Sequence, residues 1–300
     1  MSFMKNANNP KKHIAPNECS LKRWIGVLVV SFLIAAIPGY ILTELLKNKP
    51  GTFLGISYYS IFLTLSAVVL YVSLVIAIKL VGKTSVKDFV LGVGGKVNKK
   101  ECITIALLYV VGFIFSYLLN LGSIHLRGVN AGEFVFLVVF MVLTTWMQTT
   151  WEEFIFRGFL ARWICQNKLA FTKKAVIAAI VTSAAFAVSH ANNPEVISQG
   201  GFRVVMAVTA YAIPGLVFFL ANLHFGSLLP GMIMHAINNT LLFTVIAEEV
   251  TAMPLPTLLV STAPHTGEVM LMMNLLLYLP VMAYMILDAR KKRNAALQEA

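Results

Sequence analysis

FVFLVVFMVLTTWMQTTWEEFIFRGFL, residues 134–160, is a run of aliphatic and aromatic side chains interrupted near its end by Glu152, Glu153 and Arg157. A bilayer hydrocarbon core of about 30 Å is crossed by about 20 helical residues, so the apolar length predicts a membrane-spanning helix. An ionisable group at membrane depth costs about 2.5–3.5 kcal/mol even on lenient insertion scales, and such groups face partners or cavities and mark function. The same stretch therefore predicts both the kind of fold and the place of its chemistry.

The rest of the chain agrees with a membrane setting. Of 300 residues, 58% are hydrophobic and 12% charged, with a mean hydropathy of +0.78, which leaves too little polar surface to cover a soluble globule. Eight apolar segments can be marked, at 24–46, 56–81, 102–122, 134–160, 174–190, 202–222, 228–247 and 267–288. The expected fold is all-α, a polytopic membrane helix bundle of about eight transmembrane helices. Its transmembrane domain is 24–288, with a catalytic core at 134–247, between a cytoplasmic tail at 1–23 and another at 289–300. The polar, basic first 23 residues lack the apolar core and cleavage site of a removable signal peptide, so the first segment reads as a retained anchor.

Lysine and arginine favour the cytoplasmic side. With the amino terminus inside, the inner stretches hold Lys5, Lys11, Lys12, Lys22 and Arg23, then Lys83, Lys87, Lys96, Lys99 and Lys100, then Arg162, Lys168, Lys173 and Lys174, and finally Arg290, Lys291, Lys292 and Arg293. The outer loops hold only Lys47, Lys49, Arg127 and Arg203, and the longest, 248–266, opens with Glu248 and Glu249. Both termini are expected in the cytoplasm, the membrane being read as a bacterial cytoplasmic membrane. The formal charge of +11 is thus spread along membrane edges, where it meets lipid head groups. The lipid bilayer is the expected partner, and nucleic acid is not. Three cysteines, Cys19, Cys102 and Cys165, are too few for a disulfide framework and lie at inner edges, where they stay as thiols. The GVGG at 92–95, inside a basic interfacial stretch at 83–101, reads as a turn leading into the third segment rather than a phosphate loop.

Few polar groups fall within the spans. Glu153 and Arg157, four apart with the acid first, pair on one helix face, which leaves Glu152, about 100° round the helix, without a local partner and available for acid–base work. His190 closes FAVSH, one turn after Phe186. Glu152 and His190 each lie 19 residues from Phe171, at the centre of the expected turn 168–174, so an antiparallel hairpin brings them to one depth. That hairpin is long, and it is expected to tilt or to project into the cytoplasm. In MHAINNT, His235 and Asn239 share a face and Asn238 offers a second. An amide can donate to an oxyanion, and an imidazole can donate, accept or bind metal. Pro38, Pro214 and Pro280 suggest kinks within spans. His224 is expected in a short inner turn, and His13, His125 and His265 in loops or tails. Met270, Met272 and Met273 read as packing.

EEFIFR, FAVSH and HAINN fit EExxxR, FxxxH and HxxxN, in that order and on three helices. Together they resemble the CAAX prenyl protease and bacteriocin-processing family, the Abi intramembrane proteases, over about 134–247. The resemblance implies a helical bundle whose cavity cleaves peptide bonds. By motif position Glu152 activates water with His190 as its partner, and His235 and Asn239 line the cavity and stabilise the tetrahedral intermediate. Glu153 and Arg157 support them, and Phe186 holds the FxxxH position. No cofactor or metal is expected, although Glu152, His190 and His235 form a donor set that zinc accepts. The substrate implied is a peptide or membrane-associated protein. Two rivals are a non-enzymatic membrane scaffold that retains the pocket and a proton-coupled transporter. Paired halves with matching broken helices would mark the transporter, and segments one to three hold no counterpart of these polar groups.

Overall fold

A computed structural model describes residues 21–91, 95–118, 120–165, 171–248, 255–262 and 266–298. Lys5, Lys11, Lys12, His13, Cys19, residues 92–94 of GVGG, turn residues 168–170, Glu249 and His265 lie outside the described residues.

The chain opens with α1 (Leu21–Leu42), which contains Pro38 and runs into a π-helical turn at Thr43–Lys47. A two-residue hairpin, β1 (Thr52–Phe53) with β2 (Ile56–Ser57), leads to α2 (Tyr58–Leu80), whose first turn is capped by the Ser57 hydroxyl accepting from the Ser60 amide at 3.0 Å. This Ser cap satisfies a donor that the helix cannot satisfy itself. Then come α3 (Val86–Leu91), α4 (Lys99–Leu118) and β3 (Ile124–Leu126). The long central helix starts as α5 (Ala131–Glu153), capped by Asn130, passes through a π-helical stretch at Phe154–Leu160, and ends as α6 (Ala161–Cys165). Next follow α7 (Phe171–Ser189), α8 (Pro194–Ile197), α9 (Phe202–Phe225), α10 (Leu229–Thr244), β4 (Ile246–Glu248), β5 (Leu259–Ser261) and α11 (Gly267–Gln298).

The fold is almost entirely helical. Six helices are long and apolar enough to cross a membrane, spanning Lys22–Lys47, Tyr58–Leu80, Lys99–Leu118, Ala131–Cys165, Phe202–Phe225 and Gly267–Gln298. At 16 residues, α10 falls short of the about 20 that a full crossing needs, and it packs instead at the middle of the bundle against α4, α5 and α9. Around it, α9 packs on α7 and α11, α11 on α4, and α2 on both α1 and α5.

Two features depart from an all-helical reading. Connecting segments pair as a three-stranded sheet in the order β3-β5-β4, with β3 antiparallel and β4 parallel to β5. His125 therefore sits in a strand opposite Val260 rather than in an irregular loop. His224 lies in the last turn of α9, not in a turn, because the helix continues until Gly226 adopts the left-handed conformation (φ 68°) that ends it.

Apolar residues do not mark the inside of this bundle. Leu33, Ile37, Leu80, Leu107 and Ile180 are 68%, 72%, 65%, 62% and 64% exposed, while Thr145, Thr149 and Glu153 are 0% exposed. Lipid solvates an outward leucine as well as a core does, so packing and hydrogen bonds select the interior. The threonines are accommodated by donating back along their own helix, Thr145 to the Met141 carbonyl at 2.6 Å and Thr149 to Thr145 at 2.9 Å. Thr145 also meets Thr240 of α10 at 2.8 Å.

Candidate functional site

The polar residues of the three motifs converge where α5, α7, α9 and α10 meet. Glu152 and Glu153 close α5 just before the π-helical stretch, a local widening often found at functional sites. The neighbouring acids then diverge. Glu153 is fully buried, and its Oε1 accepts from Arg157 Nη1 at 2.8 Å and lies 3.2 Å from His235 Nδ1. Arg157 Nη2 donates to the Gly215 carbonyl at 3.0 Å, and the guanidinium lies 4.5 Å from the Phe186 ring centroid and 5.4 Å from that of Phe218. Gly215 also lets α9 pack closely on α7, since a Cβ there would lie 2.9 Å from the Ser183 Cα.

Glu152 is not wholly without a local partner: Gln148 Nε2, one turn earlier, donates to its Oε1 at 3.3 Å. Its Oε2, though buried, has no hydrogen-bond partner. That oxygen lies 3.9 Å from His190 Nε2 and 3.6 Å from His235 Nε2.

Both imidazoles are oriented from behind. His190 Nδ1 is 2.8 Å from the Phe186 carbonyl, which can only accept, so Nδ1 carries a proton and Nε2 is the nitrogen turned toward Glu152. His235 Nδ1 faces the arginine-paired Glu153 carboxylate and by the same logic also carries hydrogen. The rings are clamped: His190 stacks on Tyr211 at 4.5 Å and 20°, and His235 stacks on Phe218 at 5.1 Å with Phe186 edge-on at 5.5 Å. Tyr211 in turn donates to Glu195, which also accepts from Asn193 Nδ2 at 2.9 Å.

Asn239 belongs to a relay. The Tyr109 hydroxyl donates to Asn238 Oδ1 at 2.8 Å, and Asn238 Nδ2 donates to Asn239 Oδ1 at 3.1 Å. With its oxygen occupied, Asn239 presents Nδ2 as its remaining donor. The motif residues do not name Gln148, Tyr109, Tyr211, Glu195 or Phe218. Gln148 has a sequence signal, its four-residue spacing from Glu152, but Tyr109 is 129 positions from Asn238 and has none.

Among the described residues no three His, Cys, Asp or Glu side chains are grouped so as to hold a metal ion. To do so, Glu152, His190 and His235 would have to close from 3.9 and 3.6 Å toward the spacing of about 3.3 Å between tetrahedral zinc ligands with bonds near 2.0–2.1 Å.

A family model described as Type II CAAX prenyl endopeptidase Rce1-like matches residues 134–241, consistent with the CAAX-protease and Abi superfamily over that part of the chain. The Bacillus subtilis (strain 168) protein named Uncharacterized protein YyaK is similar, at 28% identity over 143 residues, covering 48% of this chain and 45% of that protein. The similarity thus spans less than half the length of that relative.

Proposed function

We propose that this chain is an intramembrane endopeptidase of the CAAX-protease/Abi type, hydrolysing a peptide bond in a membrane-associated peptide or protein. One observation carries the reading: a buried glutamate oxygen without a hydrogen-bond partner faces the Nε2 atoms of two histidines whose Nδ1 atoms are tied from behind.

Glu152, with His190 beside it, takes a proton from water as the water oxygen attacks the scissile carbonyl carbon. The oxyanion that forms accepts from Asn239 Nδ2 and from His235 Nε2 when that ring is protonated. The C–N bond then breaks, and Glu152 returns the proton to the departing amine. Glu153 and Arg157 hold His235 in place, and Tyr109 acts through Asn238 to aim Asn239. A zinc ion held by Glu152, His190 and His235 would supply Lewis-acid activation of the same water. A bacterial cytoplasmic membrane and both termini in the cytoplasm belong to the same proposal, supported by the basic stretches in the sequence.

The test incubates the purified protein in bilayers with a peptide library, beside Glu152→Ala and His190→Ala, with and without chelator. Cleavage by wild type alone is expected. Equal cleavage by Glu152→Ala overturns the assignment. Loss with chelator and recovery with zinc assigns the water to a metal, and absence of turnover in every form leaves the scaffold reading.

A further inference from the structure

A second polar site lies at the end of the bundle where α6, α9 and the 226–228 turn meet. The cleft there is half open to solvent, has a cavity volume of about 40 Å³, and is lined in part by Arg157, Arg162 and Asn222. These residues are 2%, 5% and 9% exposed, yet each has one buried nitrogen without a hydrogen-bond partner: Arg157 Nε, Arg162 Nη1 and Asn222 Nδ2. Other polar atoms of Arg162 and Asn222 are committed. Arg162 Nη2 donates to the Phe89 carbonyl at 2.5 Å, its guanidinium lying 4.4 Å from that ring's centroid. Asn222 Oδ1 accepts from the Gly231 amide at 3.0 Å, which fixes the side-chain amide so that Nδ2 is the end left over.

The charges do not balance at this place. Glu153 neutralises Arg157, whereas the hydrogen bond of Arg162 goes to a neutral carbonyl. A buried guanidinium requires a counter-charge or full hydrogen bonding. Three N–H donors on three separate side chains suit a tetrahedral oxyanion better than a planar carboxylate, and arginine is the side chain best matched to phosphate. Among the described residues no acid pairs with Arg162, and one uncompensated positive charge calls for one negative charge. Phe219, Leu223 and Leu228 add apolar wall.

We propose that this cleft binds a monoanionic phosphate oxyanion, of the kind a phospholipid headgroup carries or free dihydrogen phosphate supplies. The site borders the glutamate–histidine cluster and shares Arg157 with it, but its occupancy does not depend on peptide cleavage.

Half-buried Cys165 lines the same cleft and serves as a reporter. Delipidated full-length protein in non-ionic detergent is labelled with N-ethylmaleimide, and modification of Cys165 is followed by peptide mapping. The probes are short-chain phosphatidylglycerol, inorganic phosphate, and short-chain diacylglycerol in chloride at matched ionic strength. Phosphatidylglycerol is expected to slow Cys165 labelling about tenfold, saturably, and to raise Tm, while diacylglycerol does neither. Protection by inorganic phosphate as well makes the free ion a ligand, and protection by the lipid alone assigns the headgroup. Arg162→Gln should lose both effects. Ser227→Leu, which narrows the cleft and leaves the buried donors intact, should lose them too and covers the case in which Arg162→Gln does not fold. Wild-type labelling unchanged by either phosphate probe, or protection undiminished in a folded variant, overturns the proposal and leaves water as the partner of the donors.

Discussion

Two histidine–carboxylate contacts in this molecule use the same chemistry in opposite ways. Near one end of the bundle, His224 Nε2 on α9 lies 2.8 Å from Asp288 Oδ2 on α11, and Lys292 Nζ reaches the same oxygen at 2.7 Å. In the interior, Glu152 Oε2 stands 3.9 and 3.6 Å from two imidazoles and makes no hydrogen bond. The first oxygen has what it needs and acts as a strut between helices. The second is held near its partners but short of contact, which suits an atom that must take up a reactant.

The widest separation between the two is expected from Glu152→Gln. Cleavage should fall by about 10²–10⁴, the usual contribution of a general base, while Tm holds or rises because the new amide can donate to a histidine Nε2. A variant with wild-type turnover would make the interior contact another strut. Arg157→Met should cost about 3–5 kcal/mol of stability by leaving the Glu153 charge buried and unpaired, read as a lowered Tm in detergent. Asn239→Ala should reduce kcat by about 10²–10³ if its amide donates to the oxyanion, with little change in Tm. Tyr109→Phe should lower kcat by about tenfold or less, one net hydrogen bond of about 0.5–1.5 kcal/mol, with KM unchanged. A matching rise in KM would assign it to substrate contact instead. The smallest effect belongs to the strut: Asp288→Asn should shift stability by at most about 1 kcal/mol, as for a solvent-reached ion pair, and leave cleavage untouched. A large loss of activity there would erase the contrast.

The local part of the site was legible in the sequence. The four-residue spacing that joins Glu153 to Arg157 is a property of one helix and appears in space as a 2.8 Å ion pair. FxxxH ties its own two members together, with His190 Nδ1 on the Phe186 carbonyl. Beyond one turn of helix the reading weakened. The pairing of His224 with Asp288 is 64 positions apart in the chain and left no signal, whereas Gln148, one turn before Glu152, did have a spacing signal that was overlooked. The connecting strands left no pattern, since pairs of two or three residues are too short for an alternation to register.

Sequence alone determined that the chain is a membrane helix bundle, and it singled out the few residues whose burial in lipid demands a reason. That follows from a cost paid residue by residue: each apolar stretch or buried charge carries its free energy wherever it sits. Only the tertiary structure decided which atoms lack a partner. The bare oxygen of Glu152, the relay from Tyr109 to Asn239 and the three unpaired donors around Arg162 are statements about distance between helices, and a hydrogen bond of about 3 Å has no trace in chain order.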